Sequence, residues 1–280
     1  MPGSDDSGAP ISTALGVFDW QADLELITTA AREAGRVALS FFGQSPEVWW
    51  KNEGQSPVSA ADYAANLSLE TVLRTARPSY GWLSEETDDD PSRLGCDTLF
   101  VIDPIDGTRA FIAGKNTWCV SVAVVHKGRP VAGILVAPAL DEEFAAVLGG
   151  QALRNGTLIR VSSAASGGPL KVACAQDMIA GFQPAIRSRI ERVEHVPSLA
   201  YRLALVADGR IDATLVKRNS HDWDLAAADL ILSCADGSLT DLAGEPLVYN
   251  RPDVTQPVLV AAANQVLPEL LETLTPIARS

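Results

Sequence analysis

The stretch Leu99-Phe100-Val101-Ile102-Asp103-Pro104-Ile105-Asp106-Gly107-Thr108-Arg109-Ala110-Phe111 sets two carboxylates three residues apart where an apolar run meets a turn. Its first four residues read as a short buried strand, and Pro104, with no amide N–H and a fixed φ, is expected to stop it. Asp103 then sits at the strand's end. The restraint that Pro104 puts on the chain lets Asp103 and Asp106 turn toward one point instead of alternating across a sheet. Gly107 permits a close backbone approach. A helix starting near Thr108 would aim its free N–H groups at the same place, which suits an anion such as phosphate. Hard oxygen donors of this kind suit Mg²⁺ better than zinc, which more often calls on His or Cys.

The totals bound what such a site can serve. With 280 residues and 47% hydrophobic content the chain can build one large domain or two modest ones around a real core. The net charge of −13, from 35 acidic against 22 basic residues, argues against a nucleic-acid or anionic-membrane partner. A small anionic substrate would need bound cations to offset that field. Cys96, Cys119, Cys174 and Cys234 are scattered without a CxxC pair, so neither a zinc site nor a disulfide framework is expected. Reduced thiols and a cytoplasmic location follow as the default. Residues 1–19 read as a flexible polar tail without the basic and apolar regions of a signal peptide, and no run is long enough for a membrane helix.

Along the chain, Leu24, Ile27, Ala31, Ala34, Val37, Ala38 and Phe41 recur at helical spacing and predict a first helix ending at Gly43. Ser59 and Asp62 open a second helix reaching about Ala76, and their spacing alone is explained by a capping box. Tyr80 to Leu83 predicts a strand that delivers Ser84-Glu85-Glu86 at its end, one loop before the Asp103 strand. Strands are expected over Thr117 to His126 and Pro130 to Val136, joined at Lys127-Gly128-Arg129, with further ones near Phe144 and Leu158. This half reads as an α+β unit with an antiparallel sheet, spanning 20–155. A Gly/Ser/Ala-rich passage from Gly150 to Gly168 suggests a boundary before an α/β unit over 156–280. There Leu170 to Ala175 reads as strand, Met178 to Val193 as helical, His195-Val196 as a brief strand, and Ser198 to Asp208 as helix. Asp224 precedes the small-residue helix Leu225 to Cys234, and N-capping accounts for it as readily as chemistry does.

The hexapeptide Asp103-Pro104-Ile105-Asp106-Gly107-Thr108, together with Trp223-Asp224 and its small-residue helix, resembles the inositol monophosphatase superfamily of Mg²⁺-dependent, lithium-sensitive phosphatases. That superfamily includes 3'(2'),5'-bisphosphate nucleotidases, fructose-1,6-bisphosphatases and some histidinol phosphatases. Lys51, Ser56-Pro57 and Ser59-x-x-Asp62 match it too, whereas Ser84 stands where it has Gly. The resemblance implies an α/β layered αβαβα sandwich and a homodimer. It also implies two or three Mg²⁺ ions driving in-line attack of water on a small phosphorylated metabolite. Asp103 would bridge two metals, with Glu85 and the Ile105 carbonyl on one and Asp106 and Asp224 on the other. Thr108 and Glu85 would orient the water, with Asp62 assisting. Asp106, Gly107, Thr108 and Ala200 would border the substrate. The superfamily's sugar-binding glutamate is replaced by Lys217, beside Arg218, so a second phosphate is expected, as in 3'-phosphoadenosine 5'-phosphate. Inositol monophosphatase, histidinol phosphatase and a non-catalytic binding member are the alternatives, and Pro197 and Leu199 depart from the substrate-bordering pattern.

Overall fold

The computed structural model describes residues 19–44, 47–51, 56–163, 168–194 and 196–274. Helix α1 (Trp20–Phe41) starts where Asp19 accepts from the Ala22 N–H, and it buries Ile27, Ala30, Ala31, Ala34 and Ala38. A hairpin of β1 (Val48–Lys51) and β2 (Ser56–Ser59) leads into α2 (Ala60–Ala76). Strands β3 (Gly81–Ser84) and β4 (Thr98–Asp106) then pair in parallel. After the short helix α3 (Thr108–Ile112) come β5 (Cys119–His126), β6 (Arg129–Ala137), β7 (Glu142–Val147), β8 (Leu153–Arg154) and β9 (Thr157–Leu158). Together β3 to β9 form a seven-stranded sheet in sequence order, antiparallel except at the β3–β4 edge.

The second half begins with β10 (Leu170–Ala173), the one-turn helices α4 (Gln176–Ile179) and α5 (Pro184–Arg187), and β11 (Ile190–Arg192). Helix α6 (Leu199–Ala207), β12 (Ala213–Val216), β13 (Ser220–His221) and α7 (Asp222–Cys234) follow. Strands β14 (Gly237–Asp241), β15 (Thr255–Gln256) and β16 (Leu259–Ala263) precede α8 (Leu267–Thr273). A five-stranded sheet runs β11-β10-β12-β16-β14, with β11, β10 and β12 parallel and β16 antiparallel to both neighbours.

These elements stack as helix, sheet, helix, sheet, helix, the αβαβα sandwich the sequence implied. Along β4 the side chains alternate: Phe100 and Ile102 pack with Ile27, Ala34 and Leu69 of α1 and α2, whereas Leu99 and Val101 pack with Leu225 and Ala227 of α7. Because helices cover both faces, the strand is buried throughout and reads as a continuous apolar run. Helices α6 and α7 lie between the sheets, sharing a core with Ala173, Val216, Leu239 and Ala261 of the second one. Its other face, with Val172, Leu215 and Val260, is covered by Ile179, Phe182, Ile186 and Leu270.

Three expectations are corrected. Pro104 does not end β4, which runs on to Asp106; the ladder to β5 shifts register between Asp103 and Asp106, and this bulge absorbs the missing N–H of proline. Met178 to Val193 is not one helix, since Gly181, Phe182 and Gln183 separate two single turns before β11. Val196 belongs to no strand, and His195 lies outside the described residues, as do residues 1–18.

The small residues of α7 have a packing cause. A Cβ on Gly133 of β6 would stand 3.0 Å from the Ala227 carbonyl oxygen and 3.1 Å from its Cα, so helix and sheet touch backbone to backbone. Gly133→Val should therefore lower unfolding stability by about 1–3 kcal/mol in urea denaturation, with loss of side-chain fit between the layers. Further along α7, the Tyr249 hydroxyl donates to Asp229 Oδ2 (2.8 Å). Burial pushes Asp229 up to about 6, against the pull of Tyr249 and Arg129. A carboxyl whose folded pKa is raised stabilises most below its unfolded value near 3.8, and that contribution is lost as pH rises through about 6. Asp229→Asn keeps an acceptor for Tyr249, so its stability relative to wild type should improve by about 1–3 kcal/mol between pH 5 and pH 8 in paired melts.

Candidate active site

Four separate parts of the fold bring their acids to one place. The bulged end of β4 carries Asp103 and Asp106, the residue after β3 is Glu85, the first turn of α2 holds Asp62, and the first turn of α7 holds Asp224. Carboxylate oxygens of Glu85, Asp103 and Asp224 all lie within 4.8 Å of one another. Asp103 is the centre of this group. Burial raises its pKa well above the carboxylate range, and Glu85, Asp106, Asp224 and Asp62 add to the rise in that order.

Each acid is held by donors of the chain. Asp103 Oδ1 accepts from the Ile105 N–H (2.9 Å), a bond that the bulge makes possible. Asp62 Oδ2 accepts from the Ser59 N–H (2.8 Å) and the Ser59 hydroxyl (2.6 Å), so the capping bonds exist and orient the same side chain toward the site. Thr108 Oγ1 lies 3.0 Å from both Asp62 Oδ1 and the Ile105 carbonyl oxygen, and its one proton can serve either. Burial raises Asp62, with the bonds from Ser59 and Thr108 opposing. Asp224 Oδ2 accepts from the His221 N–H (2.8 Å), while the His221 ring stacks on Trp223 at 4.6 Å. The Trp223 carbonyl in turn accepts from the Ser121 hydroxyl of β5 (3.2 Å), which ties α7 to the first sheet.

Asp106 feels the charge of Asp224 but stands outside the three-carboxylate group. Its Oδ2 accepts from the Ser198 hydroxyl (2.5 Å) and the Ala200 N–H (2.6 Å) at the start of α6. Burial and the nearby Asp224 push it up to about 7 against those donors. Gly107 turns the chain here with φ of +96°, and a Cβ on it would meet Ser198 Cβ at 3.1 Å, so two reasons require glycine. Helix α3 starts at Thr108, as the sequence suggested, and runs for five residues. The side chains of Lys51, Ser56 and Pro57 lie outside the described residues.

Beside Asp224 opens a cavity of about 400 Å³ lined by Met178, Leu199, Leu215 and Val216 and by Arg202, Lys217 and Arg218. Lys217 reaches it from an exposed position, paired with Asp177 at 2.8 Å. Ala200 contributes its N–H to Asp106 rather than a surface to the cavity. Sequence reasoning passed over Arg202, although a lone cation inside the apolar run Leu199-Ala200-Tyr201-Arg202-Leu203-Ala204 was its signal. A larger cavity, about 660 Å³ around Arg218, Asp241, Asp253 and Gln256, contains none of the clustered acids.

A model of the inositol monophosphatase family matches residues 19–278. The inositol-1-monophosphatase of Mesorhizobium japonicum is 30% identical over 263 residues, covering 89% of this chain and 94% of that protein. The histidinol-phosphatase of Chlorobaculum parvum is 30% identical over 234 residues, covering 81% and 89%. The solved structure of the extragenic suppressor protein SuhB from Bartonella henselae superposes with a TM-score of 0.79 at 27% identity, covering 90% and 97%. The chain thus belongs to the inositol monophosphatase family, a family of phosphoric monoester hydrolases that are generally metal-dependent.

The all-oxygen donor set of Glu85, Asp103 and Asp224 fits a hard divalent cation. Asp103→Asn removes one of three mutually repelling charges, so in EDTA the variant should melt about 2–5 °C above wild type. Titrating Mg²⁺ should then raise the melting temperature of wild type more than that of the variant.

Proposed function

We propose that the chain is a Mg²⁺-dependent phosphomonoesterase that acts on a nucleoside bisphosphate, converting 3'-phosphoadenosine 5'-phosphate to AMP. The observation that carries the phosphatase reading is the convergence of Glu85, Asp103 and Asp224 within 4.8 Å. Divalent cations held there supply a more acidic water and positive charge for the phosphoryl oxygens of an in-line displacement. Glu85, Asp103 and Asp224 would hold the cations, Asp103 being shared by both, with Asp106 and the Ile105 carbonyl completing the set.

The remaining steps fall to the chain's own groups. Thr108 Oγ1, donating to Asp62 Oδ1, keeps lone pairs to accept a proton from a water placed beside Glu85. Asp62, whose proton affinity burial raises, is suited to receive the proton of Thr108 as the nucleophile forms. Ser198 and Ala200 hold Asp106 Oδ2 in place, so the carboxylate does not swing when substrate enters.

Substrate class rests on the cavity beside Asp224. Its wall of Met178, Leu199, Leu215 and Val216 offers few partners for the hydroxyls of a polyol and suits the flat face of a base. Arg202, Lys217 and Arg218 repel the ammonium of histidinol phosphate and favour a second phosphate. With Mg²⁺, kcat/KM for phosphate release should therefore be highest for 3'-phosphoadenosine 5'-phosphate, then inositol 1-phosphate, then histidinol phosphate. Asp103→Asn should reduce all three to background while circular dichroism stays native. A leading rate with inositol 1-phosphate would replace the substrate assignment and leave the phosphatase intact.

A further inference from the structure

We infer that Arg202 is the specificity-determining cation of this site, gripping the anionic group of the substrate that is not hydrolysed. The inference rests on the phosphomonoesterase reading above and assigns a residue that neither the family motifs nor the acidic cluster includes.

Arg202 sits in the second turn of α6, on a helix whose other residues from Leu199 to Ala207 are apolar or aromatic. Its Nη1 donates to the Val196 carbonyl (3.2 Å). Its Nε is closed off from solvent and meets no acceptor. Among the described residues no carboxylate lies within ion-pairing distance of it. A largely buried guanidinium whose Nε meets neither water nor an acceptor is unfavourable unless something supplies the missing charge. The side chain lines the same cavity as Asp224, so an anion bound there would do so.

The two other cations of the cavity are placed differently. Lys217 is exposed and its ammonium is already paired with Asp177 at 2.8 Å, and Arg218 is shared with the neighbouring, larger cavity. Water screens such exposed charges, whereas a largely buried guanidinium keeps its field and its fork geometry for an incoming phosphate. One alternative must be separated. Arg202 also feels the charge of Asp106, so it could serve only to steady the acidic site. A purely steadying role would weaken the hydrolysis of every substrate alike, whereas a specificity role changes the ratio between substrates.

The test is the ratio of kcat/KM for 3'-phosphoadenosine 5'-phosphate to that for inositol 1-phosphate, measured on one preparation so that any loss of folded protein cancels. In Arg202→Gln the ratio should fall about 10- to 100-fold, the range of a lost charge-assisted contact. Arg202→Lys, which keeps the charge without the fork, should fall less and serves if the glutamine variant does not fold. An unchanged ratio in either variant, with rates reduced equally, overturns the inference in favour of the steadying role. If wild type releases phosphate from neither compound, the phosphomonoesterase reading has failed. Arg202 is then judged by calorimetric binding of adenosine 3',5'-bisphosphate against AMP in Ca²⁺. Tighter binding of the bisphosphate that Arg202→Gln abolishes supports the inference, and equal affinity overturns it.

Discussion

Like charge confined in a place that water scarcely reaches is the constraint on which this structure turns. At 4 Å and an effective dielectric near 20, each pair of carboxylates repels by about 4 kcal/mol, and three such pairs rival the whole stability of a domain. Asp103 is buried among four other acids, so the metal-free protein must either hold protons there or be strained. Among the described residues the fold answers with backbone and hydroxyl donors. Ile105, Ser59, Ser198, Ala200 and His221 each give an N–H or hydroxyl to one oxygen of an acid, fixing it while leaving the group's charge unneutralised. What remains is a demand for positive charge that a divalent ion can meet.

The layered architecture explains how acids from distant parts of the sequence share a few ångströms. The end of β4 lies between β3 and β5 in a sheet covered by helices, so Asp103 and Asp106 are fixed by packing on both faces. The first turn of α2 approaches from one helical layer, and the first turns of α6 and α7 from the layer between the sheets. Helix α7 can come this close because Ala227 packs on Gly133, and Ser121 of β5 then pins the Trp223 carbonyl just before Asp224. Small residues far from the chemistry thereby set its geometry.

Much of this was legible from local pattern. The apolar run before Asp103, the helical spacing from Leu24 to Phe41 and the small residues after Asp224 each carry their own physical reason, and each forms the expected element. What escaped depended on contacts that no local rule contains. Pro104 reads as a strand terminator, and only the register, in which Pro104 and Ile105 stand against the single Val120 of β5, shows it accommodated within a bulge. Met178 to Val193 carries helix-compatible residues, and Ile179, Phe182 and Ile186 keep a one-face spacing toward the second sheet, yet Ile190–Arg192 is drawn into parallel pairing with β10, a long-range contact that the spacing does not reveal. Ser59 and Asp62 illustrate a different limit. Capping and chemistry were competing explanations in the sequence, and the geometry makes them the same hydrogen bonds.

The contrast between Lys217 and Arg202 shows why charge along a sequence is a poor guide to charge in a site. Lys217 stands out in the sequence, but its stem leads to the surface and its ammonium finds Asp177. Arg202 lies in an apolar helix where spacing alone would assign it to the core. Burial is what gives it weight: a surface ion pair is worth at most about 1 kcal/mol, whereas a guanidinium partly stripped of water binds an anion with little competition from solvent. The same desolvation that makes the acids avid for cations makes this arginine avid for an anion. A substrate with two phosphates, one over the acids and one toward the arginine, would relieve both demands at once, which is a stronger basis for selectivity than attraction to either end alone.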